Sequence, residues 1–110
     1  MALHHHLVAL AAVLTSCSRN YGVAGPTSPA GHTVSVSARH TGGFAPDWYA
    51  TVRISYPNRQ VAREWTSSMG EGSKEGYYKL VGSMKWTDAK TLEFDSDDGH
   101  QVLEVPEPPR

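Results

Sequence analysis

One thiol, three imidazoles and a short run of carboxylates are the groups in this chain that could attack a substrate, carry a proton or hold a metal. The thiol is Cys17, the only cysteine. A lone cysteine excludes a disulfide framework and any multi-cysteine zinc site, but as a thiolate it remains a strong nucleophile. Asp95, Asp97 and Asp98 precede Gly99 and suggest a calcium loop. A calcium loop of the EF type needs alternating carboxylates, a later glutamate and flanking helices, whereas Asp98-Gly99 is also an ordinary hairpin signal. The turn reading is preferred, and no metal is expected. His32, His40 and His100, with Asp47 and the serines, contain the ingredients of a Ser-His-Asp hydrolase. No G-x-S-x-G elbow accompanies them, so no catalytic residue and no cofactor are expected.

Aromatic rings offer a different chemistry, that of contact. Phe44, Trp48 and Tyr49 surround a Gly42-Gly43-Phe44-Ala45-Pro46 segment and form the candidate partner-binding site, since rigid rings supply large contact area at low entropy cost. The competing reading folds Phe44 and Trp48 back as a core plug. Tyr49 alternates with Ala50 and is expected to face outward. Arg53, Arg59 and Arg63 would form a small basic patch if a hairpin brought them to one side. Nucleic acid is not an expected partner: 10 Lys and Arg stand against 11 Asp and Glu, a net charge of −1, which leaves no cationic excess to displace phosphate counterions.

The elements that would carry these residues begin with an address. Leu7 to Leu14 reads LVALAAVL, a continuous apolar run of signal-peptide length and far short of the roughly 20 residues that span a bilayer. Small residues and Cys17 follow. Leu14-Thr15-Ser16-Cys17 resembles the bacterial lipobox, which implies acylation of Cys17 and cleavage before it. The n-region departs from the usual pattern: His4-His5-His6 stand where Lys or Arg are expected. Two or three acyl chains would hold the protein, because each buried CH₂ contributes about 0.8 kcal/mol and one chain is marginal. Ser18 lacks the aspartate of an inner-membrane retention signal. The implied location is the cell envelope, at the outer membrane facing the periplasm in a two-membraned host.

The expected organisation is a signal peptide at 1–16, an acylated cysteine with a flexible tether at 17–31, a β domain at 32–105 and a proline-rich tail at 106–110. Thr33–Arg39 and Asp47–Tyr56 alternate with period 2, placing Val34, Val36 and Ala38, then Ala50, Val52, Ile54 and Tyr56, on inner faces. Pro57-Asn58-Arg59 is expected to turn the chain into a partner at 60–65. Ser67–Gly76 reads as a long exposed loop. Tyr77–Trp86 reads as a further strand with Tyr78, Leu80, Gly82, Met84 and Trp86 on one face. Two more strands follow, with Leu92, Phe94, Leu103 and Val105 inward, and no helix is expected after the signal. The fold class is therefore all-β, a small antiparallel meander or sandwich of about six strands, with a core resting on Trp and Tyr.

Ser28-Pro29-Ala30-Gly31-His32-Thr33-Val34 and Trp86-Thr87-Asp88-Ala89-Lys90-Thr91-Leu92 resemble the strand entry and late hairpin of small β-rich bacterial lipoproteins. That resemblance implies the fold and the address and brings no activity. The leading expectation is a non-catalytic, lipid-anchored protein whose β domain binds another envelope component. An inhibitor or immunity factor acting on a cell-wall hydrolase or phage is the alternative, and a His/Asp/Ser hydrolase the third.

Overall fold

The computed structural model describes residues 20–41, 47–70 and 74–109. Cys17 and Phe44 lie outside the described residues. Among the described residues, seven strands make two antiparallel sheets with one helix between them in sequence. The first sheet is a four-stranded meander of β1 (Asn20–Ala24), β2 (Thr33–Thr41), β3 (Asp47–Ser55) and β4 (Val61–Gly70). Helix α1 (Lys74–Ser83) leads into the second sheet of β5 (Lys85–Asp88), β6 (Thr91–Ser96) and β7 (Gly99–Glu104).

Alternation decides which residues enter the core. Register pairs Val34 with Ile54, Val36 with Val52 and Ala38 with Ala50, and all six are buried. Leu92, Phe94, Leu103 and Val105 supply the second sheet's share. Trp65 on β4 meets Phe94 edge-on, ring centroids 5.0 Å apart at 75°, a geometry that aligns the positive ring edge with the negative face. The β3–β4 hairpin closes on Pro57-Asn58-Arg59, with Tyr56 N–H donating to Gln60 O and Arg59 N–H to Tyr56 O, both at 2.8 Å. Arg59 sits at φ 74°, a left-handed position that costs a non-glycine residue roughly 1–2 kcal/mol. Arg59→Gly is therefore expected to leave the melting temperature unchanged or raise it, whereas the β-branched Arg59→Val should lower it; thermal melts of the two variants check this.

Three expectations are corrected. Of the supposed loop at 67–76, residues 67–70 end β4 and residues 74–76 start α1, while 71–73 lie outside the described residues. The supposed strand at 77–86 is mostly that helix. The inward residues are Tyr77 and Leu80 in the helix and Met84 just past its end, while Tyr78 is 63% exposed, the i, i+3, i+7 spacing that continues one helical face. Tyr77 also donates its hydroxyl to Val36 O at 3.1 Å. The tether is the third correction, since residues 20–31 belong to the folded body. Asn20–Ala24 pair with Arg39–Ser35. Gly25 N–H continues the ladder to Val34 O at 2.8 Å, with space so tight that a Cβ there would lie 2.9 Å from Met84 Sδ. The following turn is tied down by Trp86 Nε1–H donating to Pro26 O at 2.7 Å and by buried Ser28 and His32. Beyond β7 the chain leaves the ladder as proline requires, held by Tyr56 Oη–H donating to Pro106 O at 2.8 Å and by a Lys90–Glu107 ion pair.

Candidate functional site

The outward face of the four-stranded sheet is a ladder of hydroxyls. Register sets Ser35 beside Arg53 and Glu64, Ser37 beside Thr51 and Thr66, and Arg39 beside Tyr49 and Ser68. Thr51 and Thr66 join their hydroxyls at 3.1 Å, and Arg53 Nε–H donates to Glu64 at 2.7 Å. On β1 the residues opposite Ser37 and Ser35 are Gly22 and Ala24. Their small size leaves a hollow of about 430 Å³ over Thr33, Ser35, Ser37 and Ser55. A second hollow of about 370 Å³ adjoins it at Ser37, edged by Arg39, Tyr49, Thr51 and Thr66. Together they form a shallow trough of hydroxyls with one guanidinium and one phenol ring, its first hollow edged also by Val23, Val34 and Val36. No carboxylate, imidazole or ammonium lines it among the described residues, so the trough can hold a partner through hydrogen bonds but offers no acid–base pair.

The candidate contact residues part company here. Trp48 is 6% exposed and belongs to the core, with its ring 4.8 Å from that of His40. Tyr49 is half-buried on the opposite face, at the rim of the trough. A single step along a strand reverses direction, so neighbouring aromatics serve core and surface. Trp48→Ala is expected to cost about 3–5 kcal/mol, the usual range for emptying a buried aromatic site. Tyr49→Ala should stay within about 1 kcal/mol, with most of that from lost cross-strand packing. Urea titration of both variants measures the contrast.

The three histidines lie in separate settings. His32 is buried, not at the surface as its strand-end position suggests. Its Nδ1 is 3.1 Å from both Ala89 O and Ser28 Oγ. A carbonyl only accepts, so Nδ1 carries the proton and donates, and Ser28 Oγ faces a donor rather than a base. That oxygen also accepts backbone N–H from Ala30 at 3.2 Å and His32 at 3.0 Å. The pair holds a turn and does not activate a nucleophile. The arginines also separate: Arg53 is paired with Glu64, while Arg63, on the other face, donates to Glu104 O at 3.2 Å. Asp97 and Asp98 form the β6–β7 turn into Gly99 at φ 109°, with Asp98 accepting from Ser67 Oγ–H at 2.5 Å. No group of three or more His, Cys, Asp or Glu side chains is arranged to hold a metal ion among the described residues.

His100 is clasped on both sides. Nδ1 lies 2.7 Å from Asp95 and Nε2 2.7 Å from Glu93. Both carboxylates favour the doubly protonated ring, Asp95 first, which raises the His100 pKa above 6.5, while the His100 hydrogen bond lowers that of Glu93. A raised folded-state histidine pKa contributes stability that is full below the unfolded value and lost as pH rises through the folded one. The lowered Glu93 value contributes above the ordinary glutamate range and is lost as pH falls through it. The clasp is thus strongest in mildly acidic solution. The melting advantage of the wild type over His100→Gln should shrink as pH is raised from 6 through neutrality and beyond; melts at a series of pH values would show it.

Comparison with protein families, with curated proteins and with solved structures finds no match at any of the three levels.

Proposed function

We propose that this chain is a lipid-anchored bacterial envelope protein that works by binding another envelope component and performs no catalysis. The anchor is Cys17, which follows an apolar run and two small residues in lipobox order. The binding surface is the trough beneath Tyr49 and Arg39. Its composition is the observation that supports this reading: hydroxyl donors and acceptors beside an apolar edge of valines, an exposed guanidinium and an aromatic rim, with no acid–base pair among the described residues that line it. Such a surface suits a polar partner held by many modest hydrogen bonds, each worth about 0.5–1.5 kcal/mol net, with the ring providing the anchor.

The test uses the full lipidated chain, cross-linked in intact envelopes and then recovered. Ser37→Lys fills the point where the two hollows meet, and Tyr49→Ala removes the rim. Both should lose the cross-linked partner while melting like the wild type. Arg53→Lys, outside the trough lining, should keep it. Retained cross-linking in both trough variants would reject this surface, and turnover abolished by a His100→Ala or His40→Ala change would reject the non-catalytic reading.

A further inference from the structure

The position of β1 has a bearing on where the domain sits. Only Ser18 and Arg19 stand between Cys17 and Asn20, the first residue of the sheet. Three residue steps reach about 10 Å even when fully extended. The strand they lead into is fixed by its ladder to β2, so the segment from 20 to 24 supplies no slack. Asn20 pairs with Arg39, Arg39 with Tyr49, and Tyr49 with Ser68. These residues lie near one end of the four-stranded sheet, where β2 runs on to Thr41 and β3 begins at Asp47, and the Pro57-Asn58-Arg59 turn marks the other. Six residue steps along β3, from Tyr49 to Ser55, cover about 20 Å of strand between them.

We propose that the domain is seated directly on the bilayer by the Arg39–His40–Tyr49 end of its first sheet, with lipid headgroups as the occupant of that end. The inference rests on the acylation of Cys17 proposed above. The chemistry at this end suits the place. Arg39 is exposed and makes no ion pair among the described residues, and a guanidinium fits a headgroup phosphate in bidentate fashion. Acids also stand at this end: Asp47 accepts a hydrogen bond from Ser68 Oγ–H at 2.8 Å, and Asp98 accepts one from Ser67 Oγ–H at 2.5 Å. Cations do not by themselves select the end, since Arg59 stands at the other. The short reach from Cys17 does.

The trough lies on the sheet face that rises from this seat. A partner bound there would be met within roughly one strand length of the lipid, about 20–30 Å, and a partner free in the aqueous space would have to approach the membrane to engage it.

Energy transfer to a headgroup acceptor dye tests the seating. The full lipidated chain is placed in vesicles of phosphatidylethanolamine and phosphatidylglycerol, with a donor dye on Arg39→Cys or on Asn58→Cys; the acylated Cys17 sulfur is a thioether and does not react with the dye. Transfer from position 39 should be several-fold stronger than from position 58. Twelve Gly and Ser residues inserted between Arg19 and Asn20 should erase most of that difference. Equal transfer from both positions, or stronger transfer from 58, in a chain whose mass proves acylation would overturn the seating and leave the anchor intact. A chain that carries no acyl mass and washes off the vesicles would overturn the anchor and the seating together.

Discussion

Phe94→Ala is expected to unfold most of the domain at physiological temperature. The ring is fully buried between the two sheets and meets Trp65 edge to face. Truncating a buried phenylalanine costs about 3–5 kcal/mol, out of a total stability of roughly 5–15 kcal/mol for a domain and towards the lower end for one this small. At about 4–8 °C per kcal/mol for a chain of this size, melting should fall by at least about 12 °C. Phe94→Leu keeps most of the volume and should lose less than half as much. A Phe94→Ala protein melting within a few degrees of the wild type would show that the two sheets do not share a core at this ring.

Cys17→Ala is expected to have the largest effect on where the protein is found. On the reading proposed here it removes the acylation site, so label from a radioactive fatty acid should vanish and the chain should leave the membrane pellet or accumulate uncleaved. Two or three acyl chains would hold the protein through their buried methylenes, at about 0.8 kcal/mol each, and the alanine variant loses all of that. Labelling that persists in the alanine variant would reject the lipobox reading. Cys17 lies outside the described strands and their core, and the same variant should melt like the wild-type domain.

The sheets were legible wherever one face is buried. Val34, Val36 and Ala38 alternate with Ser35, Ser37 and Arg39, and the structure buries and exposes them accordingly. Ile54, Leu92 and Phe94 are buried as expected. The helix was missed because its segment satisfies two periods at once. Tyr78, Leu80, Gly82 and Met84 fit a strand, whereas Tyr77, Leu80 and Met84 fit a helix. Gly76, Gly82, two tyrosines and a valine weaken the intrinsic preference for helix, so packing against β6 and Val36 decides. Strand β1 was missed for a different reason. Its sequence, NYGVA, has a glycine and a single valine, and it becomes a strand only because β2 presents an edge to pair with.

The candidate site divides on the same principle. Tyr49 could be placed outward by counting residues from Ala50. The hollow beside it could not be anticipated, because it depends on which β1 residues, Gly22 and Ala24, face Ser37 and Ser35. The burial of His32 depends on Ala89, distant in sequence and brought close only by the completed fold.

Every strand in both sheets pairs with a neighbour in sequence, β1 to β2 to β3 to β4 and then β5 to β6 to β7. Such a ladder can be built hairpin by hairpin, and each closure spans a short loop with a small entropic cost. A chain emerging amino-terminus first can complete the four-stranded sheet before the second sheet exists. The apolar face of Val34, Val36, Val52 and Ile54 then stays open to water until α1 and β6 arrive, and that interval is when the protein is most exposed to aggregation. Folding of this chain should therefore be fast in its hairpins and limited by one late event, the docking of the second sheet and Phe94 onto a surface already formed.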